Sequence, residues 1–100
     1  MNDLNSIIIT GQVNTITKPD NCVLWIDIHR NKKERDVILH KILRVPVYIM
    51  GDNLLKSCES LKNGDQVRVV GTIEEKDDGL YIAAETVEVA ISHQYRRCGL

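Results

Sequence analysis

The chain has 100 residues, of which 43% are hydrophobic and 27% charged, and its formal net charge is −1. This length fits one domain with a modest core, and the composition argues against wholesale disorder. The longest apolar runs are about five residues, too short to span a bilayer. No basic segment leads into an apolar one at the start, so the sequence predicts no secretory signal and a cytoplasmic location.

No catalytic or metal-binding pattern is visible in the sequence. The three cysteines share no metal-ligand spacing, and their odd number favours reduced structural thiols over a disulfide framework. None of the three histidines has neighbours at ligand spacing. Nucleophile elbows, phosphate-binding loops and dinucleotide fingerprints are absent from the sequence. We therefore predict a binding module rather than an enzyme, with no cofactor, no catalytic residue and no metal site.

The charge is unevenly distributed along the chain. Residues 29–44 carry six basic and two acidic side chains, whereas residues 52–92 carry nine acidic and four basic ones. Screening confines each field to about a Debye length, roughly 10 Å, so a basic patch can attract phosphate on a nearly neutral protein. Residues 29–44 are therefore the candidate phosphate-binding segment.

The first half of the chain predicts three strands. Residues 7–13 are rich in β-branched side chains, and Gly11 indicates a bulge or bend within that strand. Residues 22–30 alternate between two faces. The inward face of this second strand carries Leu24, Ile26 and Ile28, and its outward face carries Val23, Trp25, Asp27 and His29.

A charged connection is predicted at residues 31–36, followed by a strand arm at 37–39 that extends beyond the core. Residues 43–50 form the third strand, in which Pro46 indicates an edge or a bulge because it has no amide hydrogen. Val45, Val47 and Ile49 point to one face, and Arg44, Pro46, Tyr48 and Met50 point to the other.

The second half predicts one helix and a hairpin. The helix covers residues 54–61, with Asp52 or Asn53 as its N-cap and Gly64 as its stop. Two strands then meet at the turn formed by Asp78 and Gly79. The last strand places Leu80, Ile82, Ala84 and Thr86 on one face.

The order of these strands and the helix predicts an all-β, five-stranded OB-fold Greek-key barrel with one short helix between strands 3 and 4. This domain covers residues 5–91, and residues 92–100 are predicted to be a flexible tail.

Three stretches resemble the single-stranded DNA-binding protein family. They are the β-branched opening at 5–13, the glycine- and valine-rich run at 62–73, and residues 79–89 with their alanine–glutamate step. Residues 22–30 and 45–51 look more like the primosomal protein B group, a short branch used in replication restart. The resemblance implies an OB-fold homo-oligomer that binds single-stranded DNA and works with replication or restart proteins.

The hypothesis that follows is single-stranded DNA binding in replication, restart or recombination, with limited aromatic stacking. Phosphates would be held by a basic arm between strands 2 and 3, through charge neutralisation. The candidate arm residues are Arg30, Lys32, Lys33, Arg35, Lys41 and Arg44. Trp25 and Tyr48 are the candidate stacking residues, and His29, His40, Met50 and Arg68 are candidates for further contacts.

Several alternatives remain open on the sequence alone. The arm could be solvated surface, and Trp25 could anchor a core or an oligomer interface. Tyr81 could pack under the helix. The whole domain could be a protein-interaction OB module of a replication or primosome complex, and OB-folds also accept RNA. Ile8 and Thr10 on the outer face of the first strand are candidates for a homodimer or homotetramer contact. No membrane partner is predicted.

Overall fold

The computed structural model describes residues 5–17, 22–77 and 79–99. Residues 18–21, Asp78 of the predicted hairpin turn, and Leu100 of the predicted tail lie outside the described residues.

Six strands and one short helix make up the described chain. In chain order they are β1 (Ile7–Thr17), β2 (Cys22–Glu34), β3 (Val37–Ile49), α1 (Asp52–Ser57), β4 (Gln66–Lys76), β5 (Gly79–Ile91) and β6 (Gln94–Arg97). The sheet order is β3-β2-β1-β4-β5-β6, and β3 also pairs in parallel with β5. That pairing closes strands β1 to β5 into a barrel. The predicted all-β OB-fold is confirmed, with one more strand than the five predicted.

The core lies inside the barrel and is built by strand alternation. Its fully buried side chains are Val13, Leu24, Ile26, Val47, Val67, Val69 and Val87. Burying each such side chain stabilises the fold by about 1.5–3 kcal/mol. The predicted inward faces of β2 and β3 are confirmed at Leu24, Ile26 and Ile49. Val23 was predicted to point outward, yet it is also buried, directly across from Tyr48.

Strand β5 contains a bulge at Glu85, opposite residues 70–71 of β4. An extra residue reverses the alternation that follows it, so Val87 is buried and the prediction of Thr86 on the inward face is wrong. Leu80, also predicted to point inward, is 66% exposed. It lies where β5 pairs only with β4, beyond the closed part of the barrel.

Helix α1 differs from the prediction in its bounds and its cap. It covers Asp52–Ser57 rather than 54–61, and Gly51 is the N-cap residue in place of either predicted polar side chain. Gly51 has φ 93°, a left-handed conformation that glycine adopts without strain. Cys58 and Leu61 follow the helix in a turn, and both are nevertheless buried in the core.

Part of the segment predicted as a flexible tail, residues 92–100, belongs to the sheet. Gln94–Arg97 pairs with β5 through a tight turn at 92–93, where both residues have positive φ. The sequence prediction missed this turn because neither residue is the glycine or asparagine that usually indicates one. Beyond the strand, Cys98 is buried, and a hydrogen bond with the Cys58 thiol lowers the pKa of Cys98.

Strands β2 and β3 form a long ribbon that projects from the barrel. They pair without a break from Cys22 and Ile49 to Glu34 and Val37. The predicted connection at 31–36 is therefore wrong for residues 31–34, which are strand; only 35–36 form the turn. Every residue from 29 to 44 is exposed, and we call this segment the arm.

Gly71 of β4 lies close against the backbone of β5. A Cβ atom at Gly71 would overlap the backbone carbonyl oxygen of Ala83, whereas one at Gly79 would meet nothing within 4 Å. We expect Gly71→Ala to lower the free energy of unfolding by about 1–3 kcal/mol through overpacking. Gly79→Ala is the matched control, and urea unfolding followed by circular dichroism measures both. Equal stability of the two variants would contradict the close approach.

Candidate nucleic-acid interface

The ladder between β2 and β3 assigns each arm residue to one of two faces, because direct cross-strand partners lie on the same face. One face continues the outer surface of the barrel, and we call it the outer face. It carries Trp25, Asp27, His29, Asn31 and Lys33 from β2, with Ile38, His40, Ile42, Arg44, Pro46 and Tyr48 from β3. The other continues the core-facing side, and we call it the inner face. Beyond the barrel it carries Arg30, Lys32, Glu34, Val37, Leu39, Lys41 and Leu43.

The base of the outer face contains an open groove of about 420 Å³. We call it the aromatic groove; it is lined by Trp25, Pro46, Tyr48, Lys76, Asp77, Gly79, Leu80 and Tyr81. Trp25 lies directly across the ladder from Pro46. The three aromatic rings are half-buried, so each is held by the barrel and still presents surface to solvent. A planar, apolar ligand group is the kind of ligand that such a surface accepts.

Tyr81 is a site residue that the sequence analysis did not identify. Its ring centroid lies 4.5 Å from that of Tyr48 at an interplanar angle of 53°. The alternative that Tyr81 packs under the helix is therefore wrong. Lys76 Nζ lies 5.1 Å from the Tyr48 centroid, close enough for a cation–π interaction. Two features together could have indicated Tyr81 from the sequence. It alternates with Leu80 and Ile82, which were predicted to point inward, and the OB strand order places its strand beside the strand of Tyr48.

An ion pair lies next to the aromatic groove on the outer face. Arg44 donates from Nε to Asp27 Oδ1 at 2.7 Å and from Nη2 to Asp27 Oδ2 at 3.3 Å. Asn14 donates a further hydrogen bond to Asp27 Oδ2 at 3.0 Å. The Arg44 guanidinium holds the pKa of the Asp27 carboxyl below its usual value. Arg44 is therefore partly neutralised, although its side chain remains 53% exposed.

Two histidines continue the outer face beyond this ion pair. His29 Nδ1 lies 3.2 Å from His40 Nε2, and His40 Nδ1 lies 2.9 Å from the Asn31 side-chain oxygen. An amide oxygen only accepts hydrogen bonds, so His40 donates from Nδ1 to Asn31. The predicted contributions of His29 and His40 thus fall on the same face as the aromatic groove.

The basic arm residues are divided by the ladder rather than gathered on one surface. Lys33 lies on the outer face, whereas Arg30, Lys32 and Lys41 lie on the inner face. Arg35 lies at the tip with φ 56°. Within the described ranges, none of these five side chains forms an ion pair. Their charges are therefore available to a ligand that passes along either side of the ribbon.

Two further candidates lie elsewhere. Met50 immediately follows β3 and is 56% exposed. Arg68 lies on β4, donates to both carboxylate oxygens of Glu88 at 2.9 and 3.0 Å, and has its guanidinium carbon 4.7 Å from the Tyr95 ring centroid. The Arg68 guanidinium lowers the pKa of Glu88. The structure thus engages Arg68 with β5 and β6 and does not bring it to the arm.

In the described part of the chain, no three histidine, cysteine, aspartate or glutamate side chains converge on a common point. Within the same ranges, no helix has the length and hydropathy needed to cross a bilayer.

No family model and no curated protein matches the sequence, but solved structures match the fold. The single-stranded DNA-binding protein of Plasmodium falciparum, solved in complex with single-stranded DNA, has a TM-score of 0.69 and 14% identity, covering 85% of this chain and 90% of that one. A deletion mutant of the Thermus aquaticus single-stranded DNA-binding protein has a TM-score of 0.72 and 15% identity, over 89% of this chain and 51% of that one. PriB from Ralstonia solanacearum has a TM-score of 0.62 and 12% identity, over 87% and 98%. The resemblance predicted from the sequence is thus confirmed at the level of the fold: this chain has the OB-fold of single-stranded DNA-binding proteins.

Proposed function

We propose that this protein binds single-stranded DNA in replication, restart or recombination. The observation that carries the proposal is the aromatic groove at the base of a ribbon whose basic side chains, apart from Arg44, have no ion-pair partners in the described chain. Bases would stack on Trp25, Tyr48 and Tyr81, and the backbone would follow the outer face toward Lys33 and Arg35. Stacking on exposed rings tolerates any base, and lysine and arginine neutralise phosphates without reading sequence.

The fold likeness supports this proposal, because the Plasmodium protein with the same fold was solved with single-stranded DNA. The charge distribution supports it independently, since the arm is the basic segment of an otherwise acidic chain. Lys76 adds a cation 5.1 Å from the Tyr48 ring centroid, so a strand lying in the groove would also meet positive charge beside the rings.

A protein-interaction module is the second candidate. It is favoured by the exposed aliphatic side chains of the arm, among which Ile38 is 70% exposed on the outer face. Fluorescence anisotropy with a labelled oligo(dT) of about 30 nucleotides, at low and at high salt, separates the two candidates. Salt-sensitive binding supports the DNA proposal, and absence of binding at low salt overturns it. Competition with an RNA oligomer of the same length tests the RNA alternative.

Removing arm charge should weaken DNA binding and its salt dependence. For Lys33→Ala/Arg35→Ala we expect the slope of log K against log salt to become shallower by about 1.4, the value for two phosphate contacts on a single strand. Lys56→Ala/Lys62→Ala removes the same charge from the helix region and should leave the slope unchanged. Anisotropy titrations at four salt concentrations measure the slopes. If both double variants changed the slope equally, the effect would come from the net charge of the protein and not from the position of the arm.

Stacking is testable through Trp25, the single tryptophan of the chain. We expect DNA to quench Trp25 fluorescence, and Tyr48→Leu to weaken binding about 5- to 100-fold, as for the loss of one base–aromatic stack. Tyr95→Leu removes a ring that contacts Arg68 instead and should bind as the parent does. Binding without any change in Trp25 emission would place the DNA away from the aromatic groove.

Asp27 places a negative charge on the outer face and occupies Arg44. We expect Asp27→Asn to tighten DNA binding about two- to fivefold, because it frees the Arg44 guanidinium and removes a charge that repels phosphate. Glu88→Gln releases Arg68 on β4 in the same way and should leave the affinity unchanged. Circular dichroism checks that both variants remain folded. Weaker binding by a folded Asp27→Asn variant would contradict this orientation of the strand.

A further inference from the structure

Two histidines of the chain meet on the outer face of the arm. His29 of β2 and His40 of β3 are 11 residues apart in the sequence, too far to show any ligand spacing. The ladder places His29 across from Ile42 and His40 across from Asn31, which are neighbouring pairs on this face. The two imidazoles are therefore diagonal neighbours, with ring centroids 5.3 Å apart and planes inclined at 43°.

The distance between the facing nitrogens matches the separation of two ligands on one zinc ion. His29 Nδ1 lies 3.2 Å from His40 Nε2. With Zn–N bonds of about 2.0–2.1 Å, two nitrogens at a tetrahedral angle lie about 3.3–3.4 Å apart. A small rotation of the two rings would direct one lone pair of each at the same ion. Imidazole is a ligand that suits Zn²⁺, whereas Mg²⁺ and Ca²⁺ prefer oxygen.

Asn31 orients one of these rings. Its side-chain oxygen accepts a hydrogen bond from His40 Nδ1 at 2.9 Å. With Nδ1 protonated, a neutral His40 ring carries its lone pair on Nε2, the nitrogen that faces His29. Histidines that bind metals commonly donate their second ring N–H to a carbonyl or carboxylate oxygen, which fixes the tautomer and the direction of the ring. Asn31 is thus a positioning residue for the pair.

The surroundings of the two histidines admit a cation. Both rings are exposed, so an ion reaches them directly from solvent. Arg44, which is also on the outer face, is already paired with Asp27. Arg30 and Lys41 each follow one of the histidines in the chain, but they lie on the inner face of the ribbon. The basic side chains adjacent in sequence are therefore on the opposite side of the ribbon from the facing nitrogens.

We propose that His29 and His40 bind one Zn²⁺ ion, which links β2 to β3 across the outer face of the arm. Each histidine binds as a neutral ring that keeps its proton on the nitrogen away from the ion. Two histidines supply half of a tetrahedral ligand set, and oxygen ligands complete it. Two protein ligands hold the ion less tightly than the three or four of resident zinc sites, so binding is reversible.

The remaining positions of the ion give the site a role in the proposed DNA binding, on which this part of the inference rests. A strand that passes from the aromatic groove toward Lys33 and Arg35 follows the same outer face. One of its phosphate oxygens takes a free position on the zinc ion. The ion then adds a directional contact to a phosphate, which the flexible lysine and arginine side chains do not provide.

Zinc titration of the full-length protein by isothermal calorimetry tests the site. We expect one ion per chain, and a loss of affinity of at least about 100-fold in His29→Asn and in His40→Asn, because each removes a ligand. Asn31→Ala removes only the orienting hydrogen bond and should weaken binding about tenfold. Asn31→Asp keeps an oxygen acceptor and should bind zinc at least as tightly as the parent. His93→Asn is the matched control and should leave the affinity unchanged.

Two further measurements locate the ion. In nuclear magnetic resonance spectra, zinc should shift the ring signals of His29 and His40 together, and Mg²⁺ at the same concentration should shift neither. Zinc should also slow amide hydrogen exchange along the ribbon, because it joins two strands that have no third neighbour there. A parent that binds no zinc at millimolar concentration, or zinc binding that survives either histidine substitution, would overturn the site.

Oligo(dT) titrations with zinc and with excess chelator separate this inference from the proposed function. We expect zinc to tighten DNA binding by the parent at least about threefold, through the added positive charge beside a phosphate, and to have no effect on His29→Asn/His40→Asn. Zinc binding by a parent that does not bind oligo(dT) would leave the site standing and overturn the DNA function. Equal DNA affinity with and without zinc would overturn the phosphate contact. Circular dichroism confirms that each variant is folded.

Discussion

The short parallel pairing between β3 and β5 is the contact on which the rest of the structure depends. Only Val47 with Ile82 and Tyr48 with Ala83 take part, yet these pairs convert an open antiparallel sheet into a barrel. Closure buries Val47 and Ile82 in the core. It also brings Tyr48 against Tyr81, two residues that are far apart in the chain and belong to strands that are otherwise separated by three others.

Strand alternation was enough to predict most of the fold from the sequence. It identified the inward faces of β2 and β3, and the element order identified the OB barrel. The errors arose where local geometry departs from simple alternation. The bulge at Glu85 shifts the faces of β5 by one residue, and the turn at 92–93 uses positive φ without glycine. The amino-acid types at these two places indicate neither feature, because neighbouring strands impose the backbone conformation at both.

The residue types of the candidate site could be predicted from the sequence, but their arrangement in space could not. Residue types alone predicted a basic arm and two candidate stacking residues, and the structure places Trp25 and Tyr48 in one groove. Assigning the arm residues to faces required the knowledge that 31–34 continues β2 into a two-residue turn. Arg68 was included for its charge, but its partner Glu88 lies 20 residues away and becomes adjacent only in the sheet. Tyr81 was missed because its contact with Tyr48 also forms only when distant parts of the chain pair in the barrel.

The ribbon of β2 and β3 also bears on how tightly the protein can hold any ligand. Two strands without a third neighbour or a covering layer have little stability of their own, so thermal motion continually bends and frays the tip. A ligand that contacts the tip must immobilise it, and the lost conformational entropy is subtracted from the contact energy. The compensating benefit is adaptability, since a compliant ribbon can fit ligands of different curvature without a separate binding mode for each.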